Sequence, residues 1–139
     1  MSVSTPNRRK PIEFRLDLQS GVPVYRQIID QVLGGMAAGS LNAGDQLPTV
    51  RQVAVDLAIN PNTVQRAYRE LEIRGVLETQ QGTGTFISRQ RVKRDEVERR
   101  RQLAQLAGEF ISRAGAAGFT LAELREELDA LDTESDKRR

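Results

Sequence analysis

Two short amphipathic segments follow one another near the middle of the chain with almost no linker between them. Thr49 and Gln52 form a capping box that starts the first, whose apolar face comprises Val50, Val53, Ala54 and Leu57. Only two residues later, Asn60 and Pro61 start the second, with asparagine as N-cap and proline at the first helical position. Its apolar residues recur at steps of three and four: Val64, Ala67, Tyr68 and Leu71. Two short helices joined by so tight a turn predict a helix-turn-helix.

The segments on either side of this pair complete a larger domain. Before it, Pro23 precedes a helix that ends at Gly39 and has an apolar stripe of Tyr25, Ile28, Ile29, Val32, Leu33 and Met36. After it, two β-prone runs, residues 76–79 and 85–87, flank a glycine-rich tip. A hairpin directly after a helix-turn-helix is a wing. The sequence therefore predicts a mainly α winged helix-turn-helix domain with a small β wing over residues 21–88.

The rest of the chain is predicted to be an arm before this domain and a helical segment after it. In the N-terminal arm, residues 1–20, the alternating segment 12–16 forms either a short strand or an extended segment packed on the domain. The basic triplet at residues 8–10 either contacts phosphates or is solvated. The predicted boundaries after the wing are a basic linker at 89–94, a helical dimerisation segment at 95–131 and a charged tail at 132–139.

The dimerisation segment is predicted to contain two helices, residues 95–114 and 121–131, the second capped by Thr120 with Glu123. Their apolar stripes comprise Leu103, Leu106, Ala107, Phe110, Ile111 and Ala114 in the first and Leu121, Leu124, Leu128 and Leu131 in the second. Two helices of this size cannot hide both stripes by pairing only with each other, so we expect a symmetric homodimer, with packing on the winged domain as the alternative. The opposite face is predicted to carry the ion pairs Asp95–Arg99, Glu96–Arg100 and Glu109–Arg113.

Composition excludes most enzyme chemistry. The 139 residues include no histidine, cysteine or tryptophan, which removes thiol and imidazole catalysis, zinc sites built from Cys or His, haem ligation and disulfides. An enzyme would need a carboxylate pair or a lysine, yet Lys10, Lys93 and Lys137 lie in the predicted arm, linker and tail. No apolar run approaches the roughly 18 residues of a membrane span. We expect a cytoplasmic protein with no catalytic residue, metal or cofactor.

Charge and polar patterning instead favour an anionic partner. The net charge of +2 is uneven, because residues 1–101 carry +5 and residues 102–139 carry −3. In a helix-turn-helix, the second helix lies in the major groove with its N-terminal residues at the base edges. Asparagine and glutamine pair with adenine there, and arginine suits guanine or phosphate. The candidate contacts are Asn60, Asn62, Thr63, Gln65 and Arg66, with caps and solvated surface as the alternative.

Two further features are candidate contacts with nucleic acid. Arg51 lies in the first turn of a helix, where a cation is unfavourable, so it either points at a phosphate or guanine or forms a salt bridge with Asp56 or a neighbouring loop. Gly82 and Gly84 bracket the tip of the wing, where glycine permits a positive φ and lets backbone amides approach DNA closely. The needs of the turn alone also explain both glycines.

The order and spacing of these motifs resemble the winged helix of the GntR family of bacterial transcription regulators. The resemblance covers residues 23–87 and rests on three motifs: LPTVRQVA at 47–54, NPNTVQRAY at 60–68 and QGTGTF at 81–86. The short C-terminal part is similar to the YtrA subfamily, which has two C-terminal helices and no large effector domain. The resemblance implies DNA contacts by Arg51, Asn62, Thr63, Gln65, Arg66, Gln81, Gly82 and Thr83. It also implies a homodimer that binds a palindromic operator in double-stranded DNA, usually as a repressor.

This chain departs from the family pattern in and beside the second helix. Pro61 and Gln65 stand where many members have arginine, which shifts the expected base preference away from guanine, and Ala58 occupies a turn where glycine is common. We therefore expect a sequence-specific transcriptional regulator. The alternatives are a winged helix used for protein–protein contact and an architectural, non-specific DNA binder. No convergent polar cluster marks a pocket for a small effector.

Overall fold

The computed structural model describes residues 12–90 and 95–137, and the chain divides into two compact units, Met1–Gln90 and Arg91–Arg139. The first unit contains α1 (Val24–Ala38), α2 (Val50–Leu57), α3 (Pro61–Ile73), β1 (Leu77–Gln80) and β2 (Gly84–Ile87). The second contains α4 (Glu96–Ala116) and α5 (Leu121–Lys137). The predicted fold class, a mainly helical winged helix-turn-helix followed by two helices, is confirmed. The basic triplet at 8–10 and most of the linker lie outside the described residues.

The core of the first unit lies where α1 and α2 both pack against α3. All four predicted apolar positions of α3 are buried, namely Val64, Ala67, Tyr68 and Leu71. They join one cluster with Ile28, Ile29 and Val32 of α1 and with Val53 and Ala54 of α2. Each fully buried aliphatic side chain contributes about 1.5–3 kcal/mol relative to its exposed state. This packing fixes which face of α3 points into solvent.

The wing is an antiparallel hairpin that is also joined to the segment before α2. Leu77 of β1 pairs with Ile87 of β2, and both side chains are buried. On the other edge of β2, the Leu47 N–H donates to the Thr85 carbonyl and the Ile87 N–H donates to the Asp45 carbonyl, each at 2.8 Å. The backbone that enters α2 therefore pairs with the wing as a short third strand would.

The segment at 12–16 is extended and packs on the first unit without forming a strand. Phe14 is buried in the core cluster, and two glutamines one turn apart on α1 hold the backbone beside it. Gln31 accepts from the Arg15 N–H at 2.9 Å and donates to its carbonyl at 2.6 Å. Gln27 accepts from the Asp17 N–H and donates to its carbonyl, both at 2.9 Å. Side-chain amides thus take the place of a neighbouring strand.

The turn between α2 and α3 is closed by a residue in the left-handed region. Ala58 has φ 53° and ψ 47°, although glycine is the usual residue for this conformation. The Ile59 N–H completes the helix end by donating to the Ala54 carbonyl at 3.0 Å. A left-handed conformation costs an alanine roughly 1–2 kcal/mol. The fold therefore keeps a tight turn here at the expense of local strain.

Two adjacent glycines near the end of α1 provide a matched test of packing. A Cβ at Gly34 would meet open space, whereas a Cβ at Gly35 would lie 2.9 Å from Cδ1 of the buried Leu41. We expect Gly34→Ala to raise the free energy of unfolding by about 0.5–1 kcal/mol, because glycine inside a helix is destabilising by that amount. We expect Gly35→Ala to lower it by about 1–2 kcal/mol, because overpacking costs about 1–3 kcal/mol.

Chemical denaturation at one fixed protein concentration measures both changes, with Gly34→Ala as the control for helix propensity. Equal shifts of the same sign in the two variants would contradict the packing of Gly35 against Leu41.

The second unit consists of α4 and α5, which pack against each other. Thr120 caps α5, since its Oγ1 accepts from the Glu123 N–H at 3.1 Å, as predicted. The predicted end of the last helix at Leu131 is wrong, because α5 continues to Lys137. Residues 132–137 contain neither glycine nor proline, so nothing in the local sequence stops the helix.

The predicted ion pairs of α4 are also wrong. None of Asp95–Arg99, Glu96–Arg100 and Glu109–Arg113 forms among the described residues. Asp95 instead caps the helix by accepting from the Val97 N–H at 3.2 Å, and Glu98 pairs with Arg101 at 2.7 Å. The hydrogen bonds that the Arg101 guanidinium donates to the Glu98 carboxylate raise the pKa of Arg101. The predicted pairs are four residues apart, whereas the pair that forms is three residues apart, and spacing alone does not decide between the two.

Candidate nucleic-acid interface

A tyrosine ties α3 to the segment that enters α2 and so holds the recognition surface in place. We use this name for the predicted contact residues at the N-terminal half of α3: Asn60, Asn62, Thr63, Gln65 and Arg66. Tyr68 is buried, and its hydroxyl donates to the Pro48 carbonyl at 2.6 Å. Burial raises the pKa of the Tyr68 phenol well above its ordinary value. The middle of α3 is thereby fixed to the backbone that enters α2.

The N-terminal half of α3 presents the predicted polar residues to solvent. Asn62 and Gln65 are exposed, and Thr63 is half-buried. Asn60 is the N-cap, because its Oδ1 accepts from the Asn62 N–H at 2.8 Å. The structure thus places these side chains together on one surface and gives Asn60 a capping role as well.

Arg51 lies at the first turn of α2 with its side chain exposed. The salt bridge to Asp56 that the sequence left open is not formed, and Arg51 makes no ion pair among the described residues. The first turn of α2 also lacks an acidic residue. A cation at a helix N-terminus without a compensating anion is unfavourable for the free protein. This arrangement suits a residue that binds an external anion.

Arg66 differs from its neighbours on α3 because it is already in contact with another helix. Its Cζ lies 3.8 Å from the centroid of the Tyr25 ring on α1. Sequence reasoning placed Arg66 on the recognition surface but did not detect this contact, since nothing local links residues so far apart in the chain. Arg66 is exposed and stays available to a partner.

The tip of the wing is the loop Gln81, Gly82 and Thr83, which connects the paired residues Gln80 and Gly84. All three loop residues are exposed, and Gly82 has φ 77°. The tip is supported from the segment before α2, because the Gln46 Nε2 donates to the Thr83 carbonyl at 3.1 Å. Gln46 was missed by sequence reasoning. No sequence signal identifies a contact made across the gap between these two segments.

We expect Gly82→Val to weaken DNA binding about tenfold, and Thr83→Ala to change it less than about twofold. A β-branched residue at a positive φ is a conformational outlier and distorts the tip. Removing the Thr83 hydroxyl leaves both the turn and the Gln46 contact intact, so Thr83→Ala is the matched control. Fluorescence titration with labelled DNA at fixed salt measures both affinities. Equal affinities with unchanged circular dichroism would remove the wing from the interface.

Arg69 is a second residue that sequence reasoning missed. It lines a recess between α3 and the wing together with Gln65, Thr79 and Thr85. The side chain is exposed and forms no ion pair in the part of the chain that the structure describes. It follows Gln65 by four positions on the helix, a spacing that places both on one face. That spacing was the signal available in the sequence.

The predicted dimerisation residues all lie in the second unit, and most are strongly exposed in the single chain. The exposed fraction ranges from 42% for Ile111 to 66% for Leu103, and Leu106, Phe110, Leu121, Leu128 and Leu131 lie between these values. Leu124 is half-buried.

No helix within residues 12–90 and 95–137 is long and apolar enough to span a membrane.

Comparisons with known proteins agree with this geometry. Residues 24–87 match the family described as bacterial regulatory proteins, gntR family. The HTH-type transcriptional regulator YhcF of Bacillus subtilis is 39% identical over 108 residues, covering 78% of this chain and 88% of YhcF. The chain belongs to the GntR family. It is a DNA-binding winged-helix transcription regulator and not an enzyme, as predicted.

Other relatives place this GntR protein near the YtrA subfamily. The HTH-type transcriptional regulator Rv1152 of Mycobacterium tuberculosis is 41% identical, covering 79% of this chain and 86% of Rv1152. The HTH-type transcriptional repressor YtrA of Bacillus subtilis is 45% identical over 75 residues, covering 54% of this chain and 58% of that protein.

Solved structures give the same picture. The GntR-family transcription factor YtrA from Sulfolobus acidocaldarius has a TM-score of 0.51 at 32% identity, covering 86% of this chain and 97% of that structure. A transcriptional antiterminator from Listeria monocytogenes has a TM-score of 0.66 at 28% identity, covering 90% and 93%.

Proposed function

We propose that this GntR protein is a homodimeric repressor that binds a palindromic operator in the bacterial cytoplasm. The observation that carries the proposal is the juxtaposition of three solvent-facing elements in the first unit. These are the polar N-terminal half of α3, the exposed tip of the wing, and Arg51 of α2, which makes no ion pair among the described residues. Together they present amide, guanidinium and backbone donors to one ligand, which matches the acceptors of a DNA groove and its phosphates.

The residues that we assign to DNA are Arg51, Asn60, Asn62, Thr63, Gln65, Arg66, Gln81, Gly82 and Thr83. The last three, at the tip of the wing, contribute through their backbone. Asn62 and Gln65 supply paired donors and acceptors, which suit adenine. The departure at Pro61 and Gln65 removes two arginines from the base-reading end of α3, so the operator is expected to be richer in A·T pairs at those positions. Arg69 joins this set as a phosphate contact, because it lies in the recess between α3 and the wing.

Homodimer formation is assigned to the second unit. Its helices leave large apolar residues exposed, and exposed apolar surface of this kind marks an interface. They are Leu103, Leu106, Phe110 and Ile111 on α4 and Leu121, Leu128 and Leu131 on α5. A two-fold dimer sets its two recognition helices about 34 Å apart or a multiple of that, which requires a palindromic site. We accordingly divide the chain into an arm, a winged helix, a linker, a dimerisation segment and a tail, with the boundaries predicted from the sequence. Repression is supported by the similarity to the YtrA repressor of Bacillus subtilis.

Sequencing the DNA that the purified protein retains from random fragments tests this function. We expect an inverted repeat, and a gel shift on that repeat should persist in the presence of excess competitor DNA. Binding that collapses uniformly as salt rises, without preference for any sequence, would indicate an architectural DNA binder instead. Failure to retain any DNA would favour a winged helix used for protein–protein contact.

A further inference from the structure

The contact between Arg66 and Tyr25 joins α3, the proposed recognition helix, to α1, which contains none of the residues assigned to DNA. Tyr25 is the second residue of α1, is half-buried and packs against the core cluster. Arg66 is exposed and stacks on it with 3.8 Å between the guanidinium carbon and the ring centroid. The ring is therefore held by the core, and it in turn restrains an arginine that would otherwise sample many rotamers.

Helix geometry shows where this restraint directs the arginine. Successive residues of an α-helix are separated by about 100°, so Gln65 and Arg66 point in different directions. Gln65 lines the recess beside the wing, whereas Arg66 turns to the α1 side of α3. Asn62 lies between these two directions, on the face opposite the buried side chains of α3. Arg66 thus stands at the edge of the base-reading surface.

We propose that Tyr25 is a positioning residue for DNA binding, which holds Arg66 so that its guanidinium binds a backbone phosphate at the α1 edge of the recognition helix. This inference rests on the proposed function. The guanidinium carbon lies over the ring, and Arg66 donates no hydrogen bond among the described residues, so its N–H donors stay free for a phosphate. The attraction between cation and ring reduces the rotamer freedom that Arg66 would lose on binding DNA.

If Tyr25 acts through Arg66, replacing Tyr25 weakens DNA binding only when Arg66 is present. A double-mutant cycle on the retained operator, titrated at fixed salt, compares Tyr25→Leu, Arg66→Ala and the double variant with the wild type. We expect Tyr25→Leu to weaken binding about 2- to 5-fold in the wild-type background and to have no further effect in Arg66→Ala. Tyr25→Phe keeps the ring and should bind as the wild type does.

The double-mutant cycle separates positioning from a purely structural role of Tyr25, whereas salt dependence tests whether Arg66 binds a phosphate. Arg66→Ala should weaken binding to a similar extent across operator sequences. It should also reduce the slope of log affinity against log salt by about one, the value for one lost phosphate contact. Tyr25→Leu should leave that slope unchanged, because the cation is still present.

Two results would overturn the proposal: equal weakening by Tyr25→Leu in both backgrounds, and wild-type affinity of Tyr25→Leu. Either result, obtained while the wild-type protein still selects its operator over competitor DNA, rejects the role of Tyr25 and leaves the proposed function standing. A wild-type protein that shows no operator preference rejects the proposed function itself.

Discussion

Replacing Leu103 and Leu106 of α4 by aspartate is expected to produce a monomer and to weaken binding to the palindromic operator at least about 100-fold. Both leucines are more than 60% exposed in the single chain, so the substitutions remove few contacts within it. In a dimer they would place charges in an apolar interface, where an unpaired charge is strongly unfavourable. Loss of the dimer also removes the effective concentration that one bound half gives the other.

A second double variant on the same helix provides the control. Gln105 and Ser112 are exposed and lie outside the apolar stripe of α4, so Gln105→Asp with Ser112→Asp adds the same charge without touching that stripe. Light scattering gives the mass of each variant, and titrations on full and half operators give the affinities. A Leu103→Asp, Leu106→Asp protein that stays dimeric would refute the assigned interface. A monomer that binds the palindrome as tightly as the wild type would refute the functional role of dimerisation.

Truncating Arg51 is expected to weaken operator binding by about 1–3 kcal/mol, the largest single-residue effect that we predict in the first unit. The unbound protein holds this cation at the N-terminus of α2 with no ion-pair partner among the described residues. A DNA phosphate or guanine supplies the missing negative or acceptor group, so the gain on binding is not offset by a lost internal contact.

Arg74→Ala serves as the matched arginine control, because Arg74 lies at the far end of α3 and pairs with Glu70 at 3.9 Å. It should leave operator affinity unchanged within about twofold. Arg51→Lys distinguishes the two ligands, since lysine retains a phosphate contact but loses bidentate contact with guanine. An Arg51→Ala protein with wild-type affinity and wild-type thermal stability would show that Arg51 does not face DNA.

The sequence predicted those parts of the fold that depend on neighbouring residues. The capping box of Thr49 and Gln52 and the cap at Asn60 both form, because each is a hydrogen bond across two or three positions. The glycine at residue 39 ends α1 in the left-handed conformation for the same local reason. Apolar periodicity identified the buried face of α3, and its solvent-facing residues followed as the remainder.

The features that the sequence did not predict are of two kinds. Some are contacts between segments that are distant in the chain, and others are local conformations for which the sequence has no signal. Stacking of Arg66 on Tyr25 and support of the wing by Gln46 join residues that only the folded chain brings together. The apolar stripe of α5 ends at Leu131 and so predicts a helix end there, yet the helix continues to Lys137 because the following residues are compatible with it. Ala58 adopts a conformation that its residue type disfavours, since packing of α2 and α3 overrides local preference.

Under the proposed function, the pairing of β2 with the backbone before α2 has a consequence for how the protein responds to DNA shape. The Leu47–Thr85 and Asp45–Ile87 hydrogen bonds connect the wing to the entrance of the helix that carries Arg51. The distance between the tip of the wing and Arg51 is therefore fixed by the fold. A half-site whose groove width separates the contacted phosphates by a different distance cannot be accommodated by moving the wing alone. Such a site must deform to fit, and the stiffness of its base steps becomes part of operator selection.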